Sequence, residues 1–496
     1  MEENSCNKNT DTRVTVSRNI EANIQTFRKT YKDCADIKTR EMYLGAHNDK
    51  KCFMAYIEVA LDMKSFGASG IGMLVKNIEA GISPKDARVA DVTEVKDLNQ
   101  ALDVILVGNV LVFVDGCDYA LKIGDQGYPS LGVKETDSEK VIRGSNEGFS
   151  DSIKINTALV RRRIRSQNLK VKETTAGVRS NTTVDIMYMK DIAYPQVVTE
   201  IMKRLDKYEV DGVLDSGVIE QLAEKKWYSP FPEFQTTQRP DRAAMAVLEG
   251  RVVVLCDNSP IALILPTDFN SFLKTTDDYY NRFEAASFAR IIRYVSAFLA
   301  MTLPGLYLAV TNFHTQILPT SLLLSFWEAR IGCPFPEVVE VVLMELSFEL
   351  LREAGIRLPG AMGNTIGIVG GLIIGQAAVD ANLVSPIVVI VVAFTALCSF
   401  AIPSEEFAFS FRLLKFGFIA LSAWLGYFGF LIGIYAVLVH LSRLESFGIP
   451  YLSPFVAYGE KSTEGLGESV IRKSFRMLKY RPIYARRNQR IRLRGK

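Results

Sequence analysis

The distribution of apolar and charged residues divides the chain at about residue 293. Before that point charges are dense and of mixed sign, whereas beyond it charges are sparse and long apolar runs appear. Four runs lack Asp, Glu, Lys and Arg and are strongly apolar, at residues 294–311, 358–379, 381–402 and 416–442. A helix needs about 20 apolar residues to cross the hydrocarbon core of a bilayer. The pattern therefore predicts four transmembrane helices in a membrane domain at residues 286–455.

The N-terminal half alternates short apolar runs with amphipathic ones, which predicts layered strands and helices. Strands are predicted at residues 104–107, 111–114, 183–189, 252–255 and 261–265, and helices at residues 71–78, 195–208, 218–226 and 242–248. A polar segment at 124–146 separates lobes at 21–145 and 146–285, and residues 1–20 are expected to be disordered. The predicted fold class is an α/β cytosolic N-terminal module of two lobes, followed by an all-α polytopic transmembrane domain.

Both ends of the chain are predicted to face the cytosol. The first 20 residues contain no apolar core of a secretory signal peptide. The tail at residues 456–496 carries eleven Lys and Arg residues from Ser469 onward, and no Asp or Glu in that stretch. The positive-inside rule places such a tail in the cytosol, with anionic membrane lipids as its expected partner. Two cytosolic ends require an even number of crossings, and four spans meet that requirement.

Residue patterns typical of catalysis are missing from the sequence. His47, His314 and His440 are far apart, and the seven cysteines are scattered without Cys-x-x-Cys spacing. Glycine-rich residues 67–72 lack the preceding strand of a dinucleotide fingerprint, and no Walker loop occurs. We therefore expect no enzyme activity, no cofactor, no metal site and no nucleic-acid partner.

A basic cluster opens the second predicted lobe, at Arg161, Arg162, Arg163 and Arg165. One interpretation is a solvated helix face. The functional interpretation is a basic docking face for acidic partners or lipid headgroups.

A glycine series at helical spacing lies in the second predicted span, at Gly363, Gly367, Gly371 and Gly375. Glycines on one helix face allow another backbone to approach closely. They form either a packing groove inside the subunit or a helix-packing face around an oligomer axis.

An acidic stripe lies between the first two spans, because Glu345, Glu349 and Glu353 are four residues apart on a predicted helix. Carboxylates near lipid must face water, a partner or each other. Three interpretations stay open. The helix lies on the membrane surface, or the stripe is a candidate ion pathway that concentrates cations, or the carboxylates pair with Arg352 and Arg357 of the same subunit.

Five strings in the chain resemble the A subunits of the spore germinant receptors of endospore-forming bacteria, the GerA-type family. They are NEGFSDSIKINTALVRRRIRS (146–166), RPDRAAMAVLEGRVVVLCDNSPIALILP (239–266), PFPEVVEVVLMELSFELLREAGIRLPGAMG (334–363), IGQAAVDANLVSPIVVIVV (374–392) and SFGIPYLSPF (446–455). The first 140 residues and the tail match the family only weakly.

The resemblance implies a germinant receptor complex in the inner membrane of the dormant spore. Its implied partners are a transporter-like B-type subunit and a C-type lipoprotein subunit, with homo-oligomerisation of the A subunit. Small nutrients would trigger ion release and germination, with the A subunit assembling and conducting ions. A secondary transporter and a non-conducting scaffold are the alternative functions.

Two departures from the family pattern carry expectations of their own. The family usually has Pro where this chain has Ser145, which affects the turn before the basic helix. Glu405 and Glu406 follow Ser404, where the family has small or aromatic residues. Ser404 is expected to cap a helix whose first turn accommodates acids, unless those acids face a pore.

Overall fold

The structure, a computed structural model, describes residues 14–44, 50–60, 92–124, 139, 141, 143–357, 375–456 and 469–493. It divides into two compact units. The first, here called the α/β unit, comprises Met1–Glu224, Thr236–Pro266 and Lys479–Lys496. The second, the helical unit, comprises Lys225–Gln235 and Thr267–Leu478. The predicted fold class is confirmed, because an α/β N-terminal part precedes a helical C-terminal part with apolar helices.

The first lobe of the α/β unit is an antiparallel sheet covered by helices. Its elements are α1 (Ile20–Thr30), β1 (Ile37–Leu44), β2 (Lys50–Ile57), β3 (Val92–Val95), α2 (Leu98–Asp103), β4 (Val110–Val114) and β5 (Ala120–Ile123), with strand order β1-β2-β4-β5-β3. The core contains Phe27, Phe53 and Phe113. The strand predicted at 111–114 is confirmed in β4. The strand predicted at 104–107 is wrong, because Ile105–Val107 forms a 3-10 turn.

The second lobe repeats this plan. It contains α3 (Ile153–Arg163), β6 (Leu169–Ala176), β7 (Thr182–Met189), α4 (Pro195–Leu205), α5 (Ser216–Ala223), β8 (Gln235–Thr237), α6 (Pro240–Leu248), β9 (Val252–Cys256) and β10 (Ala262–Leu265), with strand order β6-β7-β9-β10-β8. The predicted strands at 183–189, 252–255 and 261–265 and helices at 195–208, 218–226 and 242–248 all overlap these elements. The helix predicted at 71–78 lies outside the described residues.

Part of the basic tail packs onto this second lobe. Ala485 is fully buried in the lobe's core, and the Arg486 backbone amide donates to the Ile192 carbonyl at 2.9 Å. The guanidinium of Arg251 lies over the Tyr484 ring, 4.0 Å from its centroid. Residues 479–493 therefore make a specific contact with the α/β unit, and lipid binding by the tail stays a prediction.

The helical unit contains α7 (Phe269–Leu273), α8 (Asp277–Tyr280), α9 (Phe283–Phe313), α10 (Thr320–Glu328), α11 (Glu337–Arg357), α12 (Pro386–Phe400), α13 (Glu405–Ser442) and the short strands β11 (Glu445–Ser446) and β12 (Ile449–Pro450). Two of these, α9 and, when its 38 residues are taken as one helix, α13, are long and apolar enough to cross a membrane. They contain the first and fourth predicted spans. The third span corresponds to α12, which has 15 residues. Nearly all of the second span lies outside the described residues.

Helix α13 is a helical hairpin and not one straight rod. Gly426 interrupts it with φ 60° and ψ −138°. In a straight helix residues 418 and 430 would be about 18 Å apart, yet the rings of Phe418 and Phe430 are 5.9 Å apart. A Cβ added to Gly433 would lie 2.8 Å from the Phe418 ring. The chain therefore reverses at Gly426, and the continuous span predicted at 416–442 is wrong.

Candidate functional site

Helix α11 runs through the helical unit between α9 and α12. At its first turn the Thr311 hydroxyl, near the end of α9, donates to Glu337 at 2.5 Å. Near its last turns Arg352 pairs with Glu405, the first residue of α13, at 2.7 Å. With 21 residues, α11 is about 32 Å long. It therefore extends along its neighbours, and the carboxylates on its inner face need partners from those helices.

The acidic stripe finds cations on the first arm of α13. The Lys415 ammonium lies 2.5 Å from Glu345 Oε2 and 3.4 Å from Glu349 Oε1. Arg412 Nη1 lies 3.8 Å from Glu349 Oε2. The exposed fraction of the acidic side chains rises along α11, from 1% at Glu345 through 27% at Glu349 to 60% at Glu353. The stripe thus passes from the sealed interior of the helical unit to its surface.

The partners predicted within the subunit are only partly right. Arg357 pairs with Glu353 at 2.6 Å, as that interpretation predicted. Arg352 instead pairs with Glu405 and lies over the Phe400 ring. Lys415 and Arg412 were missed, although their three-residue spacing places them on one helix face just before an apolar run. That spacing was the available signal.

A second buried cluster surrounds the start of α11. Arg330 Nη1 lies 2.6 Å from Glu337 Oε1, and Arg330 Nη2 lies 3.6 Å from Glu340 Oε1. Glu340 is fully buried, and its Oε2 accepts from the Ser385 backbone amide at 2.8 Å. Sequence reasoning placed both glutamates on this helix but assigned them no role. Together, the two clusters form a charged strip along α11, defined here as Glu337, Glu340, Glu345 and Glu349 with Arg330, Arg412 and Lys415.

Burying the ionisable groups of this strip costs free energy, which points to a functional reason for their presence. Ionisable groups in a low-dielectric interior need paired charges and hydrogen bonds, and they are retained there mainly where they serve a function. Glu345 Oε1 is buried and, among the residues that the structure describes, has no hydrogen-bond partner. The strip is therefore strongly paired, but its hydrogen-bonding capacity is incompletely satisfied.

The glycine series can be judged at one position. Gly375 is buried, and a Cβ there would lie 3.6 Å from Val389 Cγ1 on α12, an ordinary contact distance. Gly363, Gly367 and Gly371 lie outside the described residues. The helix-packing face therefore stays a prediction.

The first residue of the predicted basic docking face, Arg161, does not lie on the surface. Arg161 is fully buried, and its guanidinium donates twice to Asp36, at 2.8 and 3.0 Å, and once to the Leu169 carbonyl at 3.0 Å. Arg162 and Arg163 are half-buried and pair with Glu147. Among the four, only Arg165 is exposed. Arg161 was wrongly placed on the surface because its carboxylate partner is 125 residues away.

The two departures from the family pattern have local roles. Ser145 Oγ accepts from Arg163 Nη2 at 3.2 Å, and the Ser145 carbonyl accepts from Arg239 at 2.8 Å. Ser404 caps α13, since its side chain accepts from the Phe407 amide at 3.4 Å. Capping by Ser404 is therefore confirmed.

The chain therefore belongs to the class of proteins in which an α/β N-terminal part is followed by a helical part with long apolar helices. Within that class, residues 25–484 match the family model described as Bacillus/Clostridium GerA spore germination protein. The chain belongs to the GerA family of spore germination proteins.

Two individual proteins and one solved structure are similar to this chain. Spore germination protein KA of Bacillus subtilis (strain 168) is 38% identical over 466 residues, covering 92% of this chain and 85% of that protein. The uncharacterized membrane protein YfkQ of the same strain is 36% identical over 444 residues, covering 88% of this chain and 86% of that protein. The crystal structure of the N-terminal domain of the A subunit of the Bacillus megaterium spore germinant receptor GerK3 is 27% identical. It matches with a TM-score of 0.41 and covers 52% of this chain and 98% of that one.

Proposed function

We propose that this protein is the non-enzymatic A-type membrane subunit of a nutrient-germinant receptor, located in the inner spore membrane. It works with a B-type transporter-like subunit and a C-type lipoprotein, oligomerises, and forms or gates an ion-release pathway. The observation that carries this proposal is the charged strip along α11. Ionisable groups within a membrane domain typically mark ion pathways.

The exposure gradient along α11 supports a gate. Glu353 lies at the exposed end of the stripe, Glu349 is half-buried, and Glu345 is sealed by Lys415. In this arrangement the Lys415 ammonium occupies the place that a permeating cation would take. Withdrawal of Lys415 would leave two carboxylates per subunit free to attract cations, and a ring of subunits would multiply that charge.

Exposed apolar side chains on the same helices support contact with lipid or other subunits. Leu350 of α11, Ile390 and Leu397 of α12, and Trp424 of α13 are each at least 65% exposed. Exposed apolar surface of this extent marks a membrane or protein interface. Together with the glycine series, it supports oligomerisation through the helical unit.

The gate is tested by Glu345→Gln with Glu349→Gln in spores. We expect slower potassium efflux during germination at matched receptor abundance, because the cation-attracting charge is lost while side-chain volume is kept. Glu328→Gln, at an exposed position on α10, is the matched control and should leave efflux unchanged. Parental efflux in the double variant would contradict the pathway.

Topology is tested by labelling single cysteines in an otherwise cysteine-free chain. Lys32→Cys and Asn488→Cys, both at exposed positions, should react with an impermeant maleimide only after permeabilisation. Residues 479–493 pack onto the α/β unit, so both sites lie on one side of the membrane, which we propose is the cytosolic side. Ser321→Cys, on α10 beyond the end of α9, should react in intact cells. Reaction of residue 32 or 488 in intact cells would contradict the proposed orientation.

A further inference from the structure

A polar cavity of about 330 Å³ opens in the α/β unit, between β1, α3 and β7. Its lining includes five carboxylates, from Asp36, Glu58, Glu173, Asp185 and Asp257, and two lysines, Lys38 and Lys154. Small-molecule sites begin at about 300 Å³. The cavity is therefore large enough for a small ligand, and its excess of acidic groups favours a cation.

Most of these carboxylates are already used by the fold. Asp36 forms an ion pair with Arg161, and Glu58 pairs with Lys154 at 3.0 Å. Asp257 Oδ1 accepts a hydrogen bond from the Ile153 amide at 3.1 Å. These contacts explain three of the five acids as structural. Of the two that remain, Glu173 is exposed and Asp185 is buried.

Asp185, on β7, lines the cavity and is only 6% exposed. Its Oδ2 accepts from the buried Thr157 hydroxyl at 2.8 Å. Its Oδ1 is buried and has no hydrogen-bond partner within the described parts of the chain. A buried carboxylate oxygen without a donor is costly, so a second donor would stabilise it.

We propose that this cavity binds a small organic ammonium ion whose N–H groups donate to the Asp185 carboxylate. The ammonium chemistry follows from the unsatisfied acceptor together with the acidic lining. Lys38 is exposed in the same lining. Its ammonium group could pair with an anionic group elsewhere on the ligand. This site lies in the α/β unit and does not rest on the ion pathway proposed for the helical unit.

The electrostatics of Asp185 make the binding depend on pH. Burial raises the pKa of Asp185 to about 7, with smaller contributions from Glu173 and Asp36, while Thr157 and Lys38 act in the opposite direction. Below that pKa the carboxyl is protonated and no longer attracts an ammonium ion. Affinity should therefore fall as the pH falls, by about a hundredfold between pH 8 and pH 5.

The test uses the purified full-length chain in detergent and three probes: n-butylamine, n-butanol and tetramethylammonium. Isothermal titration should detect saturable binding of butylamine at pH 8, and weak or no binding of the other two. Butanol lacks the charge, and tetramethylammonium lacks the N–H donors. Asp185→Asn should lower the binding affinity for butylamine at least tenfold. Asp211→Asn, at an exposed position on the same unit, should leave that affinity unchanged.

A second variant guards against misfolding of Asp185→Asn. Thr183→Lys places an ammonium group in the cavity from the same face of β7 and should abolish butylamine binding. The proposal is overturned if butylamine binds equally to the parent and to either cavity variant. It is also overturned if tetramethylammonium or butanol binds as tightly as butylamine, or if no saturable binding occurs at pH 8.

Discussion

Lys415→Met is expected to lower the free energy of unfolding of the helical unit by about 3–5 kcal/mol. The substitution removes the cation that lies 2.5 Å from Glu345, whose side chain is 1% exposed. The carboxylate is then left buried without its charge partner, which is the costly half of a broken ion pair. Thermal unfolding of the purified chain in detergent measures the loss.

Two further variants isolate the cause of that loss. Adding Glu345→Gln to Lys415→Met removes the stranded charge and should recover most of the stability. Arg357→Met breaks an exposed pair with Glu353 and should cost less than about 1 kcal/mol, because solvent screens that pair. Parental unfolding of Lys415→Met would show that the Glu345–Lys415 pair does not stabilise the helical unit.

Arg161→Met is expected to destabilise the α/β unit by a similar amount, about 3–5 kcal/mol. Its guanidinium is fully buried and donates twice to Asp36. Arg161→Lys should also destabilise, since an ammonium cannot reproduce the two parallel hydrogen bonds. Trypsin resistance of the α/β unit, followed over a temperature series, measures the effect.

The control for Arg161 is on the same basic segment. Arg165→Met removes an exposed guanidinium and should leave protease resistance unchanged. Asp36→Asn combined with Arg161→Met should be less damaging than Arg161→Met alone, because no unpaired carboxylate remains. Equal resistance in Arg161→Met and Arg165→Met would contradict the structural role of Arg161.

The sequence pattern predicted correctly those segments whose own periodicity and composition determine whether they form a strand or a helix. The strands at 183–189, 252–255 and 261–265 are apolar, rich in β-branched residues and bounded by turn residues, and each lies in the sheet of the second lobe. Such segments bury their side chains by pairing with neighbours, so their sequence already carries the information. Residues 104–107 share that composition but form a tight turn before β4, because tertiary context overrides propensity in so short a segment.

The sequence pattern could not predict ion pairs between residues that are distant in sequence. Arg161 looks like part of a surface cluster until Asp36, from another lobe, is brought beside it. Glu345 looks like part of a stripe needing water until Lys415, 70 residues later, closes over it. A charged residue's environment depends on which helices and strands pack together, and that is fixed by the fold as a whole. The sequence therefore predicted the helix that carries the acidic stripe and the pairing of Glu353 with Arg357, but not the pairing of Glu345 and Glu349 with Lys415 and Arg412.

The reversal at Gly426 changes how crossings are counted from hydropathy. One uninterrupted apolar run is scored as a single pass, which sends the chain to the opposite leaflet. A hairpin returns the chain to the end from which it started, so Glu405 and Ser442 lie at the same end of the two arms and the run contributes an even number of crossings. For both ends of the chain to face one side of the membrane, as proposed, the segments before residue 405 must then make an even number of crossings, so the three spans predicted there cannot all be crossings. Relatives in which that position carries a bulkier residue would have to make the same turn in another way.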